Sequence, residues 1–234
     1  MVFEKGDVNF QIYDLPESRS APGAGVVSSS RRNMLSPDGR VMMAQRTVFG
    51  LVDNGSGQEF NSEHTSCDAI SMDTGCVQYS GDAEQCVGSW NEGAWRLQDG
   101  SALKIVDLPM TPQKLSAAFK ATSVEQRPDI LTMYMYMGVG SYLSCYPPEK
   151  NVAALNDIGF YLSESGDHRV AIELYKSLLK VAPDRIPLKL NMADSLWATD
   201  QKNEARKFYQ GYKKAMVATG NQHKVPQRVD EREK

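Results

Sequence analysis

The chain has 234 residues, enough for one large domain or two small ones. With 41% apolar and 24% charged residues it lies in the globular range, which excludes wholesale disorder, and a net charge of −3 argues against a nucleic-acid binder. No run approaches the ~18–20 apolar residues of a membrane span, and Met1 to Gly6 lacks the apolar core of a signal peptide. In chain order, residues 7–13 alternate with Val8, Phe10 and Ile12 on one face, which predicts a strand stopped by Leu15-Pro16. Residues 16–40, rich in Pro, Gly, Ser and Arg, read as a loop with a turn at Ser36 to Gly39. Val41 to Val52 reads as a strand, closed by a tight turn at Asp53-Asn54-Gly55. Short strands follow around Asp68–Met72, Cys76–Tyr79 and Ala94–Leu97. Asp99-Gly100 predicts a hairpin joining Trp95–Gln98 to Leu103–Val106. Thr111, Pro112 and the spacing of Leu115, Ala118, Phe119 and Thr122 predict a capped helix. Residues 129–143 are apolar on both faces and read as a buried strand, with a buried helix as the alternative. Pro147-Pro148 ends this part.

Residues 1–150 carry 12 basic and 18 acidic side chains, a net of −6, whereas residues 151–234 carry 14 and 11, a net of +3. The shift in charge coincides with a shift to long helical periodicity. Displaced by 34 residues, Ile158 falls on Met192, Gly159 on Ala193, Leu162 on Leu196, Ala171 on Ala205, Leu174 on Phe208 and Tyr175 on Tyr209. Small residues recur where two helices must touch, and large apolar ones recur where they fill the gap between helices. This segment resembles the tetratricopeptide repeat family. The first unit carries Leu155, Gly159, Leu162, Gly166, Ala171, Tyr175 and Pro183. The second carries Ala193, Leu196, Ala205 and Tyr209, with Asp200 in place of the turn glycine and Val217 in place of the proline.

The resulting fold class is α+β: a β-rich domain at 1–148 with one or two helices near its end, two repeat-like units at 149–221, and a polar, frayed tail at 222–234. Arrays of this family need about three repeats to close a core. The four helices must therefore lean on the N-terminal part or on a second copy in a homodimer. The resemblance implies a groove for another protein, lined by Asn156, Phe160, Ser163 and Glu164 in the first unit and Leu190, Asp194 and Trp197 in the second. Phe160 and Trp197 are its aromatic anchors. The competing reading is that these aromatics are internal packing. One subset of the family grips a terminal carboxylate with Lys, Asn and Arg, and only Asn191 stands at such a position, so that role is set aside.

Cys67, Cys76, Cys86 and Cys145 are even in number and clustered, which fits two disulfides with three pairings open. That places the protein in the periplasm or outside the cell, with its signal absent from this sequence. Four buried thiols in a cytoplasmic protein are the alternative. His64 and Cys67 lack the paired spacing of a zinc site, and no third group orients them as a nucleophile and base. Asp53 to Gly57 lacks the alternating acids of a calcium loop, and Gly138-Val139-Gly140 lacks the rest of a phosphate cradle. Trp90 and Trp95 beside Cys86 predict a packed aromatic cluster over a disulfide. The interleaved Met133 to Met137 strip predicts core.

No catalytic, metal or cofactor site emerges. The function read from the residues is a non-enzymatic binding protein of bacterial character. Its concrete form is an immunity or inhibitor protein whose acidic head steers toward a basic toxin or enzyme. The alternative is a cell-envelope scaffold or assembly factor. Third comes an enzyme with its site in the first 148 residues.

Overall fold

The computed structural model describes residues 1–14, 25–53 and 56–233. The predicted stop at Leu15-Pro16, the loop over 16–24 and the turn at Asn54-Gly55 lie outside those residues. The fold divides into two compact units, one formed by Met1–Met110 with Tyr134–Tyr146 and the other by Thr111–Met133 with Pro147–Lys234. The helical unit includes Thr111–Met133, residues that the sequence reading assigns to the end of the β-rich domain.

The first unit is β-rich. A hairpin of β1 (Val2–Lys5) and β2 (Val8–Gln11) precedes an antiparallel meander of β3 (Gly25–Ser29), β4 (Val41–Asp53), β5 (Glu59–Ser71) and β6 (Val77–Asp82). β4 and β5 pair along their whole lengths, from Val41 opposite Ser71 to Asp53 opposite Glu59. A small hairpin of β7 (Ser89–Asn91) and β8 (Ala94–Arg96) closes the sequence of strands. Of the predicted face on residues 7–13, Ile12 is buried and Phe10 half-buried, but Val8 is exposed. The turn at Asp99-Gly100 forms, but it is followed by a single bridge, Arg96 to Ala102, and not by a second strand, while the other edge of β8 pairs with β7.

Two disulfides fix this unit, Cys67–Cys86 and Cys76–Cys145. The first lies beside Trp95, Met34, Met43 and Ala69, with Trp90 packed edge-on to Trp95 at 5.4 Å, which is the predicted aromatic cluster. The second ties Cys76, the residue before β6, to a helical segment where a strand is predicted over 129–143. That segment forms α2 (Arg127–Tyr134) and α3 (Gly138–Cys145). An all-apolar run looks the same in a buried helix and a buried strand, so periodicity could not choose. Tertiary contacts choose: Ser141 Oγ accepts from Val77 N at 3.0 Å and donates to the Gly75 carbonyl at 2.8 Å. Met135 and Met137 are core as predicted, whereas Met133 is 60% exposed.

A buried charge pair pins the sheet. The Arg46 guanidinium donates from Nε to Asp68 at 2.8 Å, and the Tyr13 hydroxyl donates to the same carboxylate oxygen at 2.7 Å. Arg46 also lies 4.5 Å from the Tyr136 ring centre. Burial, with the Asp68 charge, pushes the Tyr13 phenol far above its ordinary value, so it remains a hydrogen-bond donor.

The second unit is helical. α1 (Pro112–Ala121) is capped by Thr111, whose side chain accepts from Lys114 N, as predicted. It packs on α4 (Pro148–Glu164), which pairs with α5 (His168–Val181). α6 (Ile186–Ala198) pairs with α7 (Lys202–Ala218), and α5 packs on α6. α4–α5 and α6–α7 are the two predicted hairpins.

Their ends close alike. After α4, Gly166 takes φ +85° and Asp167 N bonds back to the Leu162 carbonyl. After α6, Asp200 takes φ +60° and Gln201 N bonds to the Leu196 carbonyl. After α7, Gly220 takes φ +71° and Asn221 N bonds to the Met216 carbonyl. Asp200 therefore adopts the left-handed conformation that glycine supplies in the first unit, which a short polar side chain tolerates. The tail is not frayed: Gln227–Arg232 forms a short helix, α8, with Val229 fully buried against the unit.

Candidate partner-binding surface

Gly159 sets the geometry of the first hairpin. A Cβ there would meet the Tyr175 ring at 2.5 Å, so α4 and α5 approach only because that atom is missing. Tyr175 is fully buried, and burial raises its phenol well above the ordinary value. With Leu155, Ile158 and Leu162 turned into the core, an opposite stripe of α4 stays in solvent: Ala153, Asp157, Phe160 and Glu164. Phe160 is 42% exposed and meets the Tyr161 ring edge-on at 5.6 Å. An open cleft of about 340 Å³, lined by Gln113 and Ser116 of α1 and by Lys150, Ala153 and Asp157 of α4, borders this stripe.

Apart from the exposed Phe160, the predicted groove residues fall into three groups. Asn156 and Ser163 hold α4 to α6. Asn191 Nδ2 donates to Asn156 Oδ1 at 3.2 Å, and Ser163 Oγ lies 2.7 Å from Ser195 Oγ. Leu190 is half-buried on the same side of α6. Glu164 is paired: Arg127 Nη1 reaches its carboxylate at 2.9 Å, with the guanidinium 4.8 Å from the Tyr161 ring centre. Asp194 and Trp197 are covered by the chain's own C-terminal helix. Arg228 donates to Asp194 from Nε at 3.0 Å and from Nη2 at 2.8 Å, a two-pronged grip. The Tyr209 hydroxyl adds a third donor at 2.7 Å. Arg232 lies 5.1 Å from the Trp197 ring centre and donates to the Tyr209 oxygen at 3.0 Å. Burial, with the bond to Asp194, pushes the Tyr209 phenol up to about 12.

The two units therefore present the same stripe in different states. On α4 the aromatic Phe160 stands in solvent. On α6 its counterpart 34 residues later, Asp194, is gripped by Arg228, itself 34 residues further on. α8 lies against α7 and covers the α6 part of the stripe. The signal for it was present in the sequence, since Arg228 continues the 34-residue spacing, but its polar composition masked it.

No thiol is available for chemistry, because all four cysteines are in disulfides. Among the described residues, no group of three or more His, Cys, Asp or Glu side chains is arranged to hold a metal ion.

The family model described as "Tetratricopeptide repeat" matches residues 162–221, within the helical unit. No curated protein matches the chain. The C-terminal part is thus a protein–protein interaction module of the tetratricopeptide class, a class that is generally non-catalytic. The two disulfides suit an oxidising compartment outside the cytoplasm. Among the described residues no helix is long and apolar enough to cross a membrane.

Proposed function

We propose that this protein holds a segment of another protein against α4 in an oxidising, extracytoplasmic compartment, and that it acts by binding alone. The observation that carries this reading is the 42% exposure of Phe160 at a groove position whose counterpart in the next repeat is already covered. An aromatic side chain left in solvent between Asp157 and Glu164 supports a contact with a partner. Asn156, Ser163 and Leu190 shape the floor beneath it. Asp194, Trp197 and α8 form the wall. The concrete form we favour is an immunity or inhibitor protein that covers a toxin or enzyme, and a scaffold for an envelope assembly is the alternative.

The test is a photo-crosslinker placed at Ala153, exposed on the same stripe as Phe160, in the full-length chain within its source cell. One stoichiometric protein product is expected, lost in Phe160→Ala with folding intact. A captured enzyme that loses activity on binding supports the inhibitor, and a non-enzymatic assembly supports the scaffold. Capture of no stoichiometric protein removes the proposal.

A further inference from the structure

The sheet of the β-rich unit ends in an unused edge. β6 pairs with β5 only from Ile70 to Ser66, where Asp82 is the last partner. β5 continues for seven more residues, Glu59 to Thr65, hydrogen-bonded to β4 on one side and to no strand on the other among the described residues. That stretch is about 23 Å of open backbone donors and acceptors. Its side chains are exposed or half-exposed on both faces. Glu59, Asn61 and Glu63 alternate onto one face, and Phe60, Ser62 and His64 onto the other. Phe60 is 49% exposed, and neither glutamate has a cation partner among the described residues.

We infer that this edge of β5 accepts an added strand from a partner whose chain is basic on one face and apolar on the other. An open edge binds an extended segment through main-chain hydrogen bonds, while alternate side chains set the specificity. The charges decide the occupant. Two copies of this chain pairing antiparallel through β5 about Asn61 would set Glu59 of each copy directly opposite Glu63 of the other. Like charges set across a ladder destabilise it. A strand with Lys or Arg opposite Glu59 and Glu63 replaces that repulsion with two attractions. In antiparallel addition it also carries an apolar residue opposite Phe60, immediately before its second basic residue. The acidic balance of residues 1–150, net −6, steers such a strand toward the edge.

The experiment uses the full-length oxidised protein and a short fluorescent peptide of threonines. The peptide carries two lysines four positions apart and a valine just before the second. Saturable binding that weakens with salt is expected, together with new hydrogen-exchange protection confined to amides of Glu59–Thr65. Glu59→Lys/Glu63→Lys is expected to weaken binding by about tenfold or more. Both glutamates are exposed, so an unchanged thermal transition verifies that the variant is folded. Absence of binding, equal binding of a peptide with glutamates for the lysines, or protection elsewhere would each overturn the inference. So would a homodimer that forms through this same edge.

Discussion

The β-rich unit and the helical unit reach order by opposite routes. In the first, contacts run far along the chain. Cys76 and Cys145 are 69 residues apart, Tyr13 and Asp68 are 55 apart, and both disulfides are here. In the second, α4 to α8 pack mainly on their neighbours in sequence, the helix ends close on themselves, and no cross-link is present among the described residues. The lesson concerns what each unit depends on. Long-range pairing must overcome loop-closure entropy and gains most from a covalent staple, whereas nearest-neighbour packing draws stability from a repeated local contact.

Reduction is expected to have the largest effect. Removing both disulfides is expected to cost the β-rich unit about 5 kcal/mol, because they close loops of 19 and 69 residues. Hydrogen exchange with and without reductant should show the loss in β4–β6 while α4–α7 keep their protection. Equal loss in both units would show that the helices depend on the staples.

Gly159→Val aims at the other unit. The first added carbon already collides with the buried Tyr175 ring, so a cost of about 3 kcal/mol is expected in the helical transition. Chemical denaturation followed in each unit separately checks it, and an unchanged helical midpoint would contradict the close approach.

Within the helical unit, Arg228→Ala/Arg232→Ala should release α8 from Asp194 and Trp197. The pairs are partly exposed, so the expected cost is about 1 kcal/mol or less, falling further in high salt. Trp197 fluorescence and protection of Val229 report the release. Tail amides that stay protected would mean that Val229 alone holds the helix.

The smallest effect is a pH dependence. Burial holds the His168 imidazole below its ordinary value, outweighing the charges of Asp167 and Asp194, and its buried Nδ1 has no hydrogen-bond partner among the described residues. A base whose folded value is lowered contributes its full stability above the unfolded value. That contribution is lost as pH falls through the unfolded value of about 6.5 toward the lower folded one. The helical unit should therefore weaken between pH 7 and pH 5, and His168→Gln should flatten that slope. A slope unchanged by the substitution would assign it to other groups.

The helical part was legible because each of its rules is local. The spacing from Gly159 to Ala193 and from Tyr175 to Tyr209, the Thr111 cap and the Pro183 stop each act within a few turns of helix. A 34-residue repeat displays its core twice. The β-rich part was legible in pieces, as the strand from Val41 and the aromatic cluster at Trp90 and Trp95. Its long β5 was read as only a short strand around Asp68, because Glu59 to Thr65 pack against nothing that would impose an apolar alternation.

Among the groove residues, sequence position placed all seven on one side of the helical pairs but could not say which were free. The repeat and its turn positions follow from the order of residues alone, because they depend on the helical period and on backbone preference. The cysteine pairing, the helices within 127–145, the folding of the tail onto Asp194, and the exposure of Phe160 and of the β5 edge are set by long-range contacts. Those depend on which distant segments meet, and a one-dimensional pattern of apolar and polar residues carries no distances.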